Sequence, residues 1–214
     1  MNRFLLVQLK TKFYNITRFA ATKALVLDVG VANRSAYEMK RALPLCTYHG
    51  LDRAVTFDES ERKLIDHFMI ADLESDPLRS LPGASYDLIV INHVLEHVAN
   101  GLEVVGHAIR CLRPAGILYL EVPNIRSVSH VAGRLHYHFH DDPTHKRLYA
   151  PEALCNAVMD AGGKVLVCGD ANTPMKTLLS IPRAVFGLLR GRAVGHLFVH
   201  SRRAITYLVA TRPN

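Results

Sequence analysis

Four short apolar runs, each closing on a polar side chain, constrain this chain more than any other feature. Residues 24–28 (ALVLD), 47–52 (TYHGLD), 68–72 (FMIAD) and 86–92 (YDLIVIN) end at Asp28, Asp52, Asp72 and Asn92. Runs this short and this apolar fit strands buried on both faces, as the strands of a parallel sheet are. A polar residue repeated at the carboxyl ends of successive strands marks the side of such a sheet where ligands bind. Elsewhere the spacing turns helical. Residues 102–112 repeat apolar side chains at helical period, and 113–116 (RPAG) stop them with Pro and Gly just beyond the end. Residues 117–122 (ILYLEV) read as a fifth strand closed by Pro123 and Asn124, and 151–161 as a helix with Pro151 at its first position. Two further runs, 164–168 and 204–210, bring the sheet to about seven strands. Strands alternating with helices predict an α/β fold, a doubly wound, mostly parallel seven-stranded sheet with helices on both faces.

At 214 residues the chain suffices for one such domain with its own core, and the reading is a single domain over 1–214. Within it, 1–23 form an amphipathic helix, with Phe4, Leu5, Val7, Leu9, Phe13, Ile16 and Phe19 near helical period. A core follows over 24–170, then a basic insert over 174–203, then the last strand at 204–211. No apolar run reaches the roughly 18–20 residues that span a bilayer, and the N-terminus lacks a continuous signal-peptide core. A cytoplasmic location is expected. Cys46, Cys111, Cys155 and Cys168 show no C-x-x-C spacing and read as reduced, buried thiols.

The net charge of +7 is unevenly placed. Residues 171–214 hold seven basic residues and 1–27 hold five, neither with an acid, whereas 28–170 hold 14 basic and 19 acidic residues. Basic ends suit an anionic partner, either a charged acceptor or a lipid headgroup. Stacking aromatics interleaved with the basic clusters are not evident, so a nucleic-acid partner is not expected.

Five segments in order carry a resemblance: 26–30 (VLDVG), 50–52 (GLD), 71–73 (ADL), 86–97 (YDLIVINHVLEH) and 112–124 (LRPAGILYLEVPN). Together with 142–149 (DPTHKRLY), they make the chain resemble the class I S-adenosylmethionine-dependent methyltransferase family over about residues 24–167. The resemblance implies a Rossmann-like sheet, S-adenosylmethionine as cofactor and a methyl-transfer activity. It places Asp28, Gly30, Ala32 and Asn33 in the loop facing the cofactor's methionine portion. Asp52 is placed on the ribose, Asp72 and Leu73 beside the adenine, and Asn92 and His93 next to the sulfonium. One departure stands out. The family's loop runs Asp-x-Gly-x-Gly-x-Gly, and its later glycine positions hold Ala32 and Arg34 here. That departure supports an alternative, a non-catalytic binding or scaffold protein with the same fold. A dinucleotide-binding dehydrogenase fits less well, because the Gly-x-Gly-x-x-Gly loop is missing.

Methyl transfer to a hydroxyl calls for a base that titrates near neutrality, which is histidine's range. His145 is the first candidate and His97 the second, with Glu121 and Asp142 behind them. His93, Glu96 and His97 spell H-x-x-E-H, but His93 falls at a strand end rather than on one helix with His97, so no metal site is expected. Residues 136–145 (HYHFHDDPTH) read as a lid over the acceptor. Within the insert, 181–192 (IPRAVFGLLRGR) mixes bulky apolar residues with arginines, a pattern suited either to roofing a pocket or to a peripheral contact with the inner membrane face. The expectation is methyl transfer, at oxygen, to a small, sugar- or lipid-linked acceptor.

Overall fold

The computed structural model describes residues 10–32, 34–128, 139–171, 182, 186, 189 and 204–214. The strands are β1 (Leu25–Val29), β2 (Thr47–Asp52), β3 (His67–Ile70), β4 (Tyr86–Asn92), β5 (Leu112–Pro123), β6 (Lys164–Asp170) and β7 (Ile205–Thr211). The helices are α1 (Thr11–Phe19), α2 (Ser35–Ala42), the single turn α3 (Glu59–Arg62), α4 (Gly101–Cys111) and α5 (Pro151–Asp160). The strand order is β3-β2-β1-β4-β5-β7-β6. β3 to β5 run parallel, and β7 lies antiparallel between β5 and β6. The chain winds outward from β1 to β3, then returns to place β4 on the other side of β1. The carboxyl ends of β1 and β4 therefore flank the point where the winding reverses.

Alternation along the strands sends side chains to two cores. Leu27, Val29, Ile89, Ile91, Leu118 and Leu120 pack with Val104, Val105 and Ala108 of α4 and with Leu154 and Val158 of α5. On the other face, Val26, Leu88, Val90 and Tyr119 pack with Phe13 and Ile16 of α1 and with Ala36 and Met39 of α2. Each such aliphatic side chain, taken fully from water, contributes roughly 1.5–3 kcal/mol before conformational entropy is charged against it. Burial on both faces is why the strands read as continuous apolar runs.

The expected elements lie close to the observed ones, with a few differences. The predicted N-terminal helix is present over Thr11–Phe19, and residues 1–9 lie outside the described residues. Most of the basic insert, 174–203, does too, as do 136–138 of the expected lid, so whether the insert roofs a pocket or meets a membrane falls outside the description. β3 ends at Ile70, which leaves Asp72 in the following turn. Residues 113–116, expected as a plain helix stop, bulge out of an extended β5: pairing with β4 jumps from Leu112 opposite Tyr86 to Ile117 opposite Leu88. The bulge persists because its backbone finds partners on the chain just past β7, where Ala115 N–H donates to the Arg212 carbonyl (2.8 Å) and Arg212 N–H to the Gly116 carbonyl (3.2 Å).

Candidate functional site

The loop after β1 is shaped by Gly30. Its φ of +79° favours glycine, and a Cβ there would lie 2.2 Å from Val94 Cγ2, so no side chain fits. Its N–H donates to the Leu51 carbonyl (2.8 Å), which ties the loop to β2. Ala32 is exposed, and Asn33 lies outside the described residues. Arg34 caps α2 with φ +72°. At this departed glycine position the backbone keeps the left-handed conformation, now carried by a side chain that pays about 1–2 kcal/mol for it. The guanidinium lies over the Tyr37 ring, 5.3 Å from its centre, and stays on the outside of the loop.

Asp52 stands at the carboxyl end of β2, half-buried. Oδ1 accepts the Arg53 N–H at 2.6 Å, and Oδ2 has no hydrogen-bond partner among the described residues. Asp72 is exposed, accepts the Glu74 N–H at 3.0 Å and so shapes the turn after β3, while Leu73 beside it is buried in the core. Asp28 is fully buried on the α1 face, where it accepts the Tyr48 hydroxyl at 2.7 Å with Lys12 Nζ 3.8 Å away. Burial raises its carboxyl above the ordinary range, against the lowering pull of Lys12 and of the Tyr48 hydroxyl.

The densest polar chemistry lies at the end of β4. Asn92 has a buried Oδ1 with no hydrogen-bond partner among the described residues. An acceptor left so costs about 1–3 kcal/mol unless a ligand or water donates to it. His93 turns at φ +56° and donates its backbone N–H to the Glu121 carbonyl (3.0 Å). Its ring Nδ1 lies 3.1 Å from Oε1 of the buried Glu96, and Nε2 lies 4.0 Å from Glu121 Oε2. Burial alone would lower the imidazole's pKa, but Glu96 and then Glu121 outweigh it and hold the pKa above the usual histidine value. Glu121 in turn accepts the buried Tyr119 hydroxyl.

His97 follows in a 3-10 turn (Leu95–His97), with Nδ1 2.8 Å from Thr144 Oγ1. His145 Nδ1 lies 2.6 Å from the Phe139 carbonyl oxygen, and its ring stacks on Phe139. The His97 and His145 ring centres are 4.7 Å apart. The two histidines singled out in the sequence as candidate bases thus meet, but the His145 side chain is only 3% exposed, whereas that of His93 is 36% exposed. His93 and His97 also do not share a helix, which removes the geometry an H-x-x-E-H metalloprotease motif needs.

Sequence reasoning did not find the His93–Glu96–Glu121 cluster as proton-transfer machinery, nor the approach of Lys12. His93 and Glu96 are only three residues apart, but Glu121 and Lys12 join them from far along the chain, and the only sequence signal is acids and a histidine inside otherwise apolar segments. The arrangement offers three things chemically. They are a bare turn of backbone at Gly30, an unshared carboxylate oxygen at Asp52, and a carboxylate-held imidazole beside an orphaned acceptor at Asn92.

Comparison with known proteins gives this arrangement its family. The family profile described as a methyltransferase domain matches residues 8–166. The chain belongs to the methyltransferase domain family. An S-adenosylmethionine-dependent methyltransferase from Mesorhizobium loti superposes with a TM-score of 0.65 at 14% identity, over 94% of this chain and 96% of that one. A second, from Archaeoglobus fulgidus, superposes with a TM-score of 0.54 at 18% identity, over 98% and 94%. The [4+2]-cyclase SpnF is also similar, with a TM-score of 0.59 at 16% identity, over 94% and 80%. At such identities the likeness is one of fold, and the cyclase shows that this fold hosts more than one reaction. No curated protein matches the chain in a sequence comparison. Among the described residues, no helix is long and apolar enough to cross a membrane.

The residues present fit S-adenosylmethionine, the cofactor that the resemblance implies. Gly30 leaves backbone open where a Cβ would fill the turn, and Asp52 keeps one carboxylate oxygen for a donor such as a ribose hydroxyl.

Proposed function

We propose that this chain transfers a methyl group to an oxygen of a small, sugar- or lipid-linked acceptor, with His93 as the base. When bound, S-adenosylmethionine supplies a methyl carbon activated by its sulfonium. Gly30 and Asp52 would hold it, with Asp72 and Leu73 beside its base. The chain's remaining task is to orient the acceptor and take its proton. Glu96 fixes the His93 ring through Nδ1, which turns Nε2 toward the acceptor side as the atom that receives the proton. The imidazolium so formed is stabilised by Glu96 and Glu121. The observation that carries this reading is a carboxylate-held, partly exposed imidazole at the carboxyl end of β4, next to the point where the sheet winding reverses. His145 and His97, engaged with each other and with the 139–144 segment, serve the acceptor-side wall instead.

Basic ends favour an anionic acceptor and an optional peripheral contact with anionic lipid. The test is turnover of S-adenosylmethionine against a panel of hydroxylated acceptors, neutral, anionic and lipid-linked, followed by product mass. The expected result is methylation that His93→Ala abolishes while cofactor binding persists. Equal turnover by His93→Ala would overturn the assignment of the base. Ala32 and Arg34 in the glycine loop favour a second reading, a non-catalytic binding protein. It predicts no transfer to any acceptor in the panel.

A further inference from the structure

Glu96, His97 and His145 each present one ligand atom, and these atoms all lie within 4.8 Å of one another. The hydrogen bonds around them fix which atoms are presented. A carbonyl only accepts, so the 2.6 Å contact with the Phe139 oxygen makes His145 Nδ1 the donor and leaves Nε2 as the ring's ligand atom. Thr144 gives its own hydroxyl hydrogen to Asp142 Oδ1 (2.5 Å), so its oxygen receives the His97 Nδ1–H, and His97 Nε2 is likewise left as the ligand atom. Glu96 spends Oε1 on His93, while Oε2 is buried with no hydrogen-bond partner among the described residues. A carboxylate oxygen in that state, 1% exposed as a residue, calls for a positive partner.

From these observations we infer that Glu96, His97 and His145 bind a first-row divalent transition-metal ion of the zinc class. Two imidazoles and a carboxylate suit such an ion, and Mg²⁺ and Ca²⁺ prefer all-oxygen sets. The Phe139 carbonyl and the Thr144–Asp142 pair serve as the outer partners that orient metal-binding histidines. Zn–ligand distances of about 2.0–2.1 Å place tetrahedral ligand atoms about 3.3 Å apart, a closure that side-chain rotation within the cluster supplies. Asp142 Oδ2, 3.8 Å from His145 Nε2, stands next to the fourth position. The ion joins the turn after β4 to the 139–149 segment and sits one carboxylate away from His93. The competing arrangement is a protonated His145 paired with Asp142, which needs no metal and leaves Glu96 Oε2 unsatisfied.

Metal loading needs neither acceptor nor transfer, so the test reads metal alone. The purified full chain, stripped with chelator, is titrated with Zn²⁺, with Mg²⁺ as control, and then loaded with Co²⁺ for its visible spectrum. The expected result is one tightly bound Zn²⁺ per chain, a raised thermal midpoint and a tetrahedral Co²⁺ spectrum. His97→Ala and His145→Ala should each weaken Zn²⁺ by more than the roughly 10–100-fold that loss of an outer partner costs, and Thr144→Val by about 10-fold. His107→Ala, on α4 away from the cluster, should bind as the parent does. Circular dichroism confirms that each variant is folded. Failure of the parent to bind Zn²⁺, or parent-like binding and spectrum in the His97→Ala/His145→Ala double variant, would overturn the site.

Discussion

The loop after β1 and the turn after β4 flank the same crevice but are built on opposite principles. The first works through backbone shape. Gly30 has no room for a side chain, and two of its three family glycines are replaced, yet Arg34 keeps the left-handed backbone that glycine would adopt there. The second works through side chains: His93 lies between Glu96 and Glu121, 3.1 and 4.0 Å from their carboxylates, beside the unpartnered Oδ1 of Asn92, and the ordering depends on burial. A site made of shape tolerates changes that leave φ and space intact, whereas a site made of paired charges tolerates few. This is why Ala32 and Arg34 do not by themselves argue against cofactor binding, while a change at His93 or Glu96 should be felt in the chemistry.

Substitutions at the two regions sharpen or break that contrast. The largest effect is expected at His93. His93→Ala should lower turnover about 100- to 10,000-fold, the usual worth of a positioned base, with cofactor affinity little changed. Turnover in the parent should rise with pH through an inflection above the ordinary histidine value of about 6.5, because Glu96 and Glu121 hold the imidazolium. A pH–rate profile of parent and Glu96→Gln checks both, since removing that carboxylate's charge should bring the inflection down. Next comes Gly30→Ala, which combines a positive φ with a Cβ 2.2 Å from Val94 Cγ2. It should cost about 2–5 kcal/mol in urea unfolding, from left-handed strain plus overpacking.

A smaller effect is the pH dependence of stability. A histidine whose folded pKa is raised stabilises in full below its unfolded pKa, and that stabilisation is lost as pH rises through the folded value. The gap in thermal midpoint between parent and His93→Gln should therefore be wider at pH 6 than at pH 9. An equal gap at both would mean that Glu96 does not hold the imidazolium. The smallest change is Arg34→Gly. It should shift stability by less than about 1 kcal/mol, because relief of the left-handed backbone is offset by loss of the exposed contact with Tyr37 and by the extra freedom of the unfolded glycine. A larger destabilisation would show that the side chain has a structural task in the loop.

How far each region was legible in the sequence follows the same division. Shape is written locally. Short apolar runs ending in polar residues mark the strands, a doubly wound sheet and Asp52 at a strand tip, and Gly30 is readable from the strand–glycine junction. Pairing is not local. Glu96 looks like one more polar residue in 86–97, and nothing in the order of residues shows that it turns inward to His93 or that His97 and His145, 48 positions apart, come to lie ring against ring. Asp28 closes the first run, but nothing in the order of residues shows that its carboxylate is buried against Tyr48 of β2 and Lys12 of α1. The bulge at 113–116 escaped notice for a similar reason: its partner, Arg212, lies at the far end of the chain.

The account rests on a cofactor held by the carboxyl ends of β1 and β2, and calorimetric titration with S-adenosylmethionine, parent beside Asp52→Ala, tests it most directly. The predicted result is saturable binding by the parent that Asp52→Ala weakens about 10- to 100-fold, the worth of roughly 1.5–3 kcal/mol of charged hydrogen bonding to the ribose. A folded parent that fails to bind at millimolar ligand, or an Asp52→Ala variant that binds as tightly as the parent, would contradict it.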